Sequence, residues 1–128
     1  SEHLDSARSP SHPRRLFPCV QVGGVRTTNQ ETEEQWDAPN AWSPVVHMII
    51  EGLETVGCHD ASDLALQITR DWLASNHLGW ANTGQMYEKY NAVLSGARGE
   101  GGEYYPQVGF GWTNGVVLHL LKTYANKL

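Results

Sequence analysis

Three stretches of the chain repeat apolar residues at helical spacing, with polar or glycine-rich stretches between them. Val45, Val46, Met48, Ile49, Ile50, Leu53 and Val56 mark the first. Apolar positions three and four apart fall on one side of a helix, so the spacing predicts a helix over residues 44–56. Ser43 is placed to cap it, Pro44 sits where a missing N–H does no harm, and Gly57 is placed to end it. The apolar arc is wide, which predicts cover on more than one side. A second helix is predicted from near Asp60 or Ser62, with Leu64, Ala65, Ile68, Trp72 and Leu73 as its buried stripe. It fades over residues 76–79, and a short helical piece follows around residues 83–87. The third helix takes Thr113 or Asn114 as its cap and turns Val116, Val117, Leu118, Leu120, Leu121 and Tyr124 inward. Lys122 and Lys127 lie near its C-terminal end, where positive charge suits the helix dipole.

The stretches between are less regular. Residues 1–19 carry Ser, Pro, Arg and His with few apolar side chains and are expected to be irregular or disordered. Residues 20–28 read as a short strand or an extended loop broken at Gly23-Gly24. Residues 35–44, QWDAPNAWSP, suit neither helix nor strand, and residues 95–111 are rich in glycine. The predicted class is all-α: helix, loop, helix, loop, helix, in one domain from residue 20 to residue 128.

Composition narrows the function classes. The 128 residues carry a net charge of -5, which argues against a nucleic-acid surface and its basic stripe. No apolar run approaches the roughly 20 residues of a membrane span. No signal-peptide pattern opens the chain, and the sequence fixes no cellular location. Cys19 and Cys58 give no disulfide framework; pairing and free thiols both remain open. Five Trp and five Tyr stand against two Phe. Indole and phenol join a flat apolar face to a polar edge, which suits a sugar as well as a core.

Candidate chemistry follows. The histidines, at 3, 12, 47, 59, 77 and 119, include no pair three or four apart, and the cysteines are not in a C-x-x-C arrangement, so no metal site is expected. GARGEGG and GFGWTNG match neither phosphate-binding glycine pattern, so a nucleotide reading is weak. Three carboxylates stand beside aromatics: Asp37 after Trp36, Glu88 in MYEKYNAV, and Glu103 before Tyr104 and Tyr105. Apolar walls desolvate a carboxyl group and tune it for acid–base work, and glycoside hydrolysis uses two such groups.

Longer motifs then point to a family. QWDAPNAWSP resembles the trehalase signature Gln-Trp-Asp-x-Pro-x-small-Trp-small-Pro and meets each fixed position. MYEKYNAV resembles the family's Glu-Lys-Tyr-Asp-Val segment, and GEGGEYYPQVGFGWTNGV its glycine-rich lid, ending in Gly-Phe-Gly-Trp-Thr-Asn-Gly. GGVRTT and EGLETVG resemble further stretches in the same order, so the likeness runs from about residue 22 to residue 121. It implies part of an (α/α)6 toroid that hydrolyses α,α-trehalose to two glucose molecules with inversion, without a cofactor. It assigns the general base to Glu88, a lid contact with substrate to Glu103, and places near the sugar pocket to Trp36, Asp37 and Trp42. Asn91 stands where the family has Asp, Val108 replaces an acid, and Arg98 and Glu100 interrupt the glycine run.

The family's general acid and its substrate-gripping arginines lie upstream of the matching region. The resemblance therefore implies a C-terminal part of the catalytic domain over residues 20–128, inactive alone and completed by the remainder. The second reading is a non-catalytic truncated relative that only binds sugar or packs against a partner.

Overall fold

In the computed structural model, which describes residues 17–128, three helices carry the core and two short β-ribbons fasten the loops to it. The strands are β1 (Val20–Gln21), β2 (Gly24–Val25), β3 (Asn40–Trp42) and β4 (Lys89–Asn91); the helices are α1 (Ser43–Val56), α2 (His59–Thr83) and α3 (Gly111–Tyr124). β1 pairs antiparallel with β2, and β3 with β4 in the register Asn40–Asn91, Ala41–Tyr90 and Trp42–Lys89. The chain is mostly helical with no closed sheet among the described residues, in keeping with the expected class. Of the segment expected to be irregular, residues 1–16 lie outside the described residues.

α1 follows its sequence pattern. Val46 and Ile50 are buried, Ile49 and Leu53 pack against the core, and Gly57 closes the helix in a left-handed turn. Its first turn differs from expectation. Trp42 holds the capping position with no side-chain cap, and the Ser43 hydroxyl turns away to Thr113.

α2 departs further. It does not fade over residues 76–79 but runs on to Thr83, and the separate helical piece expected around residues 83–87 does not form. The apolar stripe stops because this half packs against loop backbone rather than another helix. The Ser75 hydroxyl accepts the Gly96 N–H at 2.9 Å, and Gly79 lies so close that a Cβ there would meet the Gly96 carbonyl at 3.1 Å. Small residues serve such a face, and they carry no hydrophobic periodicity.

α3 begins at Gly111, two residues before the expected cap. Val116, Leu120 and Tyr124 face the core, whereas Leu118 and Leu121 lie open. The core gathers around Trp72, which is fully buried and meets the Tyr90 ring edge-on at a centroid distance of 5.3 Å. At the far end the Tyr124 hydroxyl donates to Glu54 at 2.8 Å; burial first, and then this bond to an anion, pushes the phenol up to about 12. No helix of the described residues is long and apolar enough to cross a membrane.

Candidate active site

β4 is the element that positions Glu88. The residue precedes the strand, and both flanking residues are anchored. On one side, the Thr113 hydroxyl donates to the Tyr87 carbonyl at 2.5 Å. With that proton committed, the Ser43 hydroxyl is the donor in its 3.0 Å bond to Thr113, so the first turns of α1 and α3 meet Tyr87 at one buried point. On the other side, Lys89 is fully buried, and its ammonium donates to the carbonyls of Gln35, Glu100 and Gly101 at 3.3, 3.0 and 2.9 Å. Burial lowers the lysine pKa, and the Glu88 charge opposes that shift.

The Glu88 carboxylate is buried, with a donor on each oxygen. The Tyr104 hydroxyl donates to Oε1 and the Gln107 backbone N–H to Oε2, both at 2.9 Å. The Glu88 N–H in turn donates to the Gln107 carbonyl at 3.0 Å, so strand end and loop grip each other twice. Burial and the bonded carboxylate raise the Tyr104 pKa, so this phenol stays a proton donor.

The glycine-rich segment is therefore no loose loop. Asn40 clamps it with both ends of its amide: Nδ2 donates to the Glu100 carbonyl at 2.8 Å, and Oδ1 accepts the Glu100 N–H at 3.0 Å. The Gly102 N–H reaches the Glu33 carbonyl at 2.8 Å. Residues 98–106 line an open depression of about 390 Å³. Glu103 lies exposed on the rim of this depression, beside Tyr104 and Tyr105.

The tryptophans of residues 35–44 divide their work. Trp42 is buried, and its indole N–H donates to the Gln35 carbonyl at 3.2 Å. Trp36 stacks on it with ring centroids 4.0 Å apart, and Trp112 meets it edge-on at 6.5 Å. Trp36 is 41% exposed and Trp112 49% exposed, so these two present free indole surface while Trp42 backs them. Asp37 is also braced. The hydroxyls of Thr32 and Thr28 donate to its two oxygens at 2.6 and 2.7 Å, and they hold its pKa below the ordinary 3.8.

Glu88 and Glu103 thus meet through Tyr104, and the Trp36–Trp42 stack joins them through the Gln35 carbonyl that Trp42 and Lys89 share, while Asp37 is held within its own loop by Thr28 and Thr32. Lys89, Asn40, Thr113 and Trp112 are the residues that the sequence reading missed. Trp112 was within reach, because it stands in the quoted GFGWTNG motif. Two departures from the family pattern keep the backbone in order. The Asn91 Oδ1 accepts the N–H groups of Val93 and Leu94, work that an Asp carboxylate does equally, and Val108 bridges to Tyr87 through backbone alone.

The family model for trehalase matches residues 11–125, beginning upstream of the motifs quoted above. The chain belongs to the trehalase family. It is 47% identical over 102 residues to a trehalase of Tenebrio molitor, covering 80% of this chain and 18% of that protein. It is 45% identical over 122 residues to a probable trehalase of Oryza sativa subsp. japonica, covering 94% and 22%. Against a trehalase of Homo sapiens the identity is 44% over 105 residues, covering 82% and 18%. The chain thus spans between 18% and 22% of the length of these relatives. The trehalase fold is a helical (α/α)6 toroid, and the three helices described here are part of it.

Proposed function

We propose that this chain carries the general base and the lid of an inverting glycoside hydrolase that cleaves α,α-trehalose to two glucose molecules. The observation behind this reading is the Glu88 carboxylate, buried at a fixed strand end with a donor on each oxygen. A general base has to be held within reach of the proton it takes. The backbone bond from Gln107 fixes Oε2. Oε1 is capped only by the hydroxyl of Tyr104, a residue 50% exposed. When that side chain swings away, Oε1 is open to water. The water attacks the anomeric carbon and gives its proton to Oε1, and the glycosidic bond breaks on the opposite face.

The departing oxygen needs a proton from a second acid. Asp37 is unsuited to supply it, because two hydroxyl donors stabilise its ionised form. The acid therefore comes from the remainder of the catalytic domain, which the chain needs to be active. Glu103 binds sugar hydroxyls from the lid. Trp36 offers a stacking face, with Trp42 and Asp37 bracing the loop behind it. The names of the relatives support the substrate.

The test is glucose release from trehalose by the purified chain, alone and mixed with the upstream portion of a trehalase. Activity only on mixing, abolished in Glu88→Gln, is expected. A folded Glu88→Gln variant that keeps full activity on mixing would remove Glu88 from the base role. Absence of activity in every mixture would favour the non-catalytic reading.

A further inference from the structure

Away from the Glu88 cluster, α1 and α3 bring His47, Glu51 and His119 together. Glu51 lies one turn beyond His47 on α1, and His119 reaches across from α3. The Nε2 atoms of His47 and His119 lie 3.4 and 3.3 Å from the same Glu51 oxygen, Oε1, and the three donor atoms all fall within 4.8 Å of one another. The rings meet edge-on with centroids 4.9 Å apart. We infer that these three residues form a binding site for a divalent transition metal, with zinc the best-suited ion.

Donor spacing is the first argument. Zinc binds imidazole nitrogen and carboxylate oxygen at about 2.0–2.2 Å, and a tetrahedron with such bonds has edges of roughly 3.3–3.6 Å. The two observed donor spacings to Glu51 match those edges. The second argument is an unsatisfied atom. His47 Nε2 is closed to solvent and makes no hydrogen bond, although Glu51 Oε1 lies 3.4 Å away. A buried imidazole nitrogen that makes no hydrogen bond is costly, and a metal bond would satisfy it. The third is donor chemistry. Two imidazoles and one carboxylate favour zinc, nickel or copper over calcium and magnesium, which prefer all-oxygen sets. Three protein donors leave a fourth position for water. Neither a histidine pair nor a C-x-x-C arrangement marks this set, whose helical pair joins a histidine to a carboxylate.

The experiment is calorimetric titration of the chain with zinc, with thermal melting alongside. One zinc ion per chain is expected, together with a higher melting temperature. His119→Ala, His47→Ala and Glu51→Gln should each weaken binding by about tenfold or more, at least the loss that removing an outer partner of a metal ligand brings. His59→Ala is the control for adventitious binding, since His59 makes its own exposed pair with Asp63 at 3.2 Å, and it should leave the affinity unchanged. Absence of zinc binding would overturn the proposal, as would undiminished affinity in His119→Ala. If the variants fail to fold, the cobalt spectrum of the unaltered chain decides. Tetrahedral visible bands without a thiolate charge-transfer band support the site. A thiolate band would assign the metal to the free Cys19 or Cys58 and overturn it.

Discussion

The two sides of α2 are finished to different degrees. On the side facing β4, the Lys89 ammonium and both oxygens of the Glu88 carboxylate are tied by hydrogen bonds to backbone or side chain. On the side shared with α3 lies an open, mostly apolar cleft of about 690 Å³, lined by Leu73, Trp80, Met86, Val117 and Leu121 among others. Leu118 stands 67% exposed on α3 nearby. The closed side holds a strand end in place; the open side is the sort of surface that a larger helical fold covers. The difference teaches that local order of the candidate site does not wait for the rest of the toroid, whereas burial of the outer helix faces does.

Substitutions should separate the two sides. The largest effect is expected from Trp72→Ala, which empties the centre of the closed side. It should cost about 3–5 kcal/mol, read by urea unfolding. Thr113→Val should cost about 1–3 kcal/mol, because it leaves the Tyr87 carbonyl and the Ser43 hydroxyl buried without their partner. Lys89→Met should loosen residues 99–102 from β4, seen as faster hydrogen exchange at the Gly102 amide, with the helices unchanged. On the open side, Leu118→Gln should change stability by no more than about 0.5 kcal/mol. It should nonetheless lower self-association, measured by light scattering, since exposed apolar patches drive association. If Leu118→Gln destabilises as much as Thr113→Val, the contrast between the sides fails.

The smallest effect concerns pH. The folded pKa of Asp37 lies below its unfolded value of 3.8. Its stabilising contribution is therefore complete above the unfolded value and is lost as pH falls through the folded one. Trp36 fluorescence should hold steady on acidification to about pH 4 and change below it. Asp37→Asn should abolish that step.

How far the sequence revealed this arrangement depended on what each residue packs against. The core half of α1 was legible because Val46 and Ile50 bury against other side chains at helical period and Gly57 ends the helix. The second half of α2 was not, because Ser75 and Gly79 meet backbone, and close backbone approach leaves no apolar periodicity. β3 and β4 are three residues each and pair across nearly fifty positions of sequence, so no local pattern announces them. Glu88 was named through a motif, but the burial of Lys89 beside it was not foreseen, since lysine is ordinarily a surface residue. Of the tryptophans in residues 35–44, the sequence named both Trp36 and Trp42 but had no means of telling the open ring from the covered one.

The clamp between Asn40 and Glu100 also carries a timetable. The two residues stand 60 positions apart. At a synthesis rate of roughly 5–20 residues per second, Asn40 leaves the ribosome's catalytic centre about 3–12 s before Glu100 exists. The α1–α2 hairpin, whose contacts are local, has time to form within that interval. β3 spends most of it as an unpaired edge, until β4 has been made. Assembly of the Glu88 cluster thus waits for residue 100, and a nascent chain stalled before it would hold a formed hairpin with no lid to close over it.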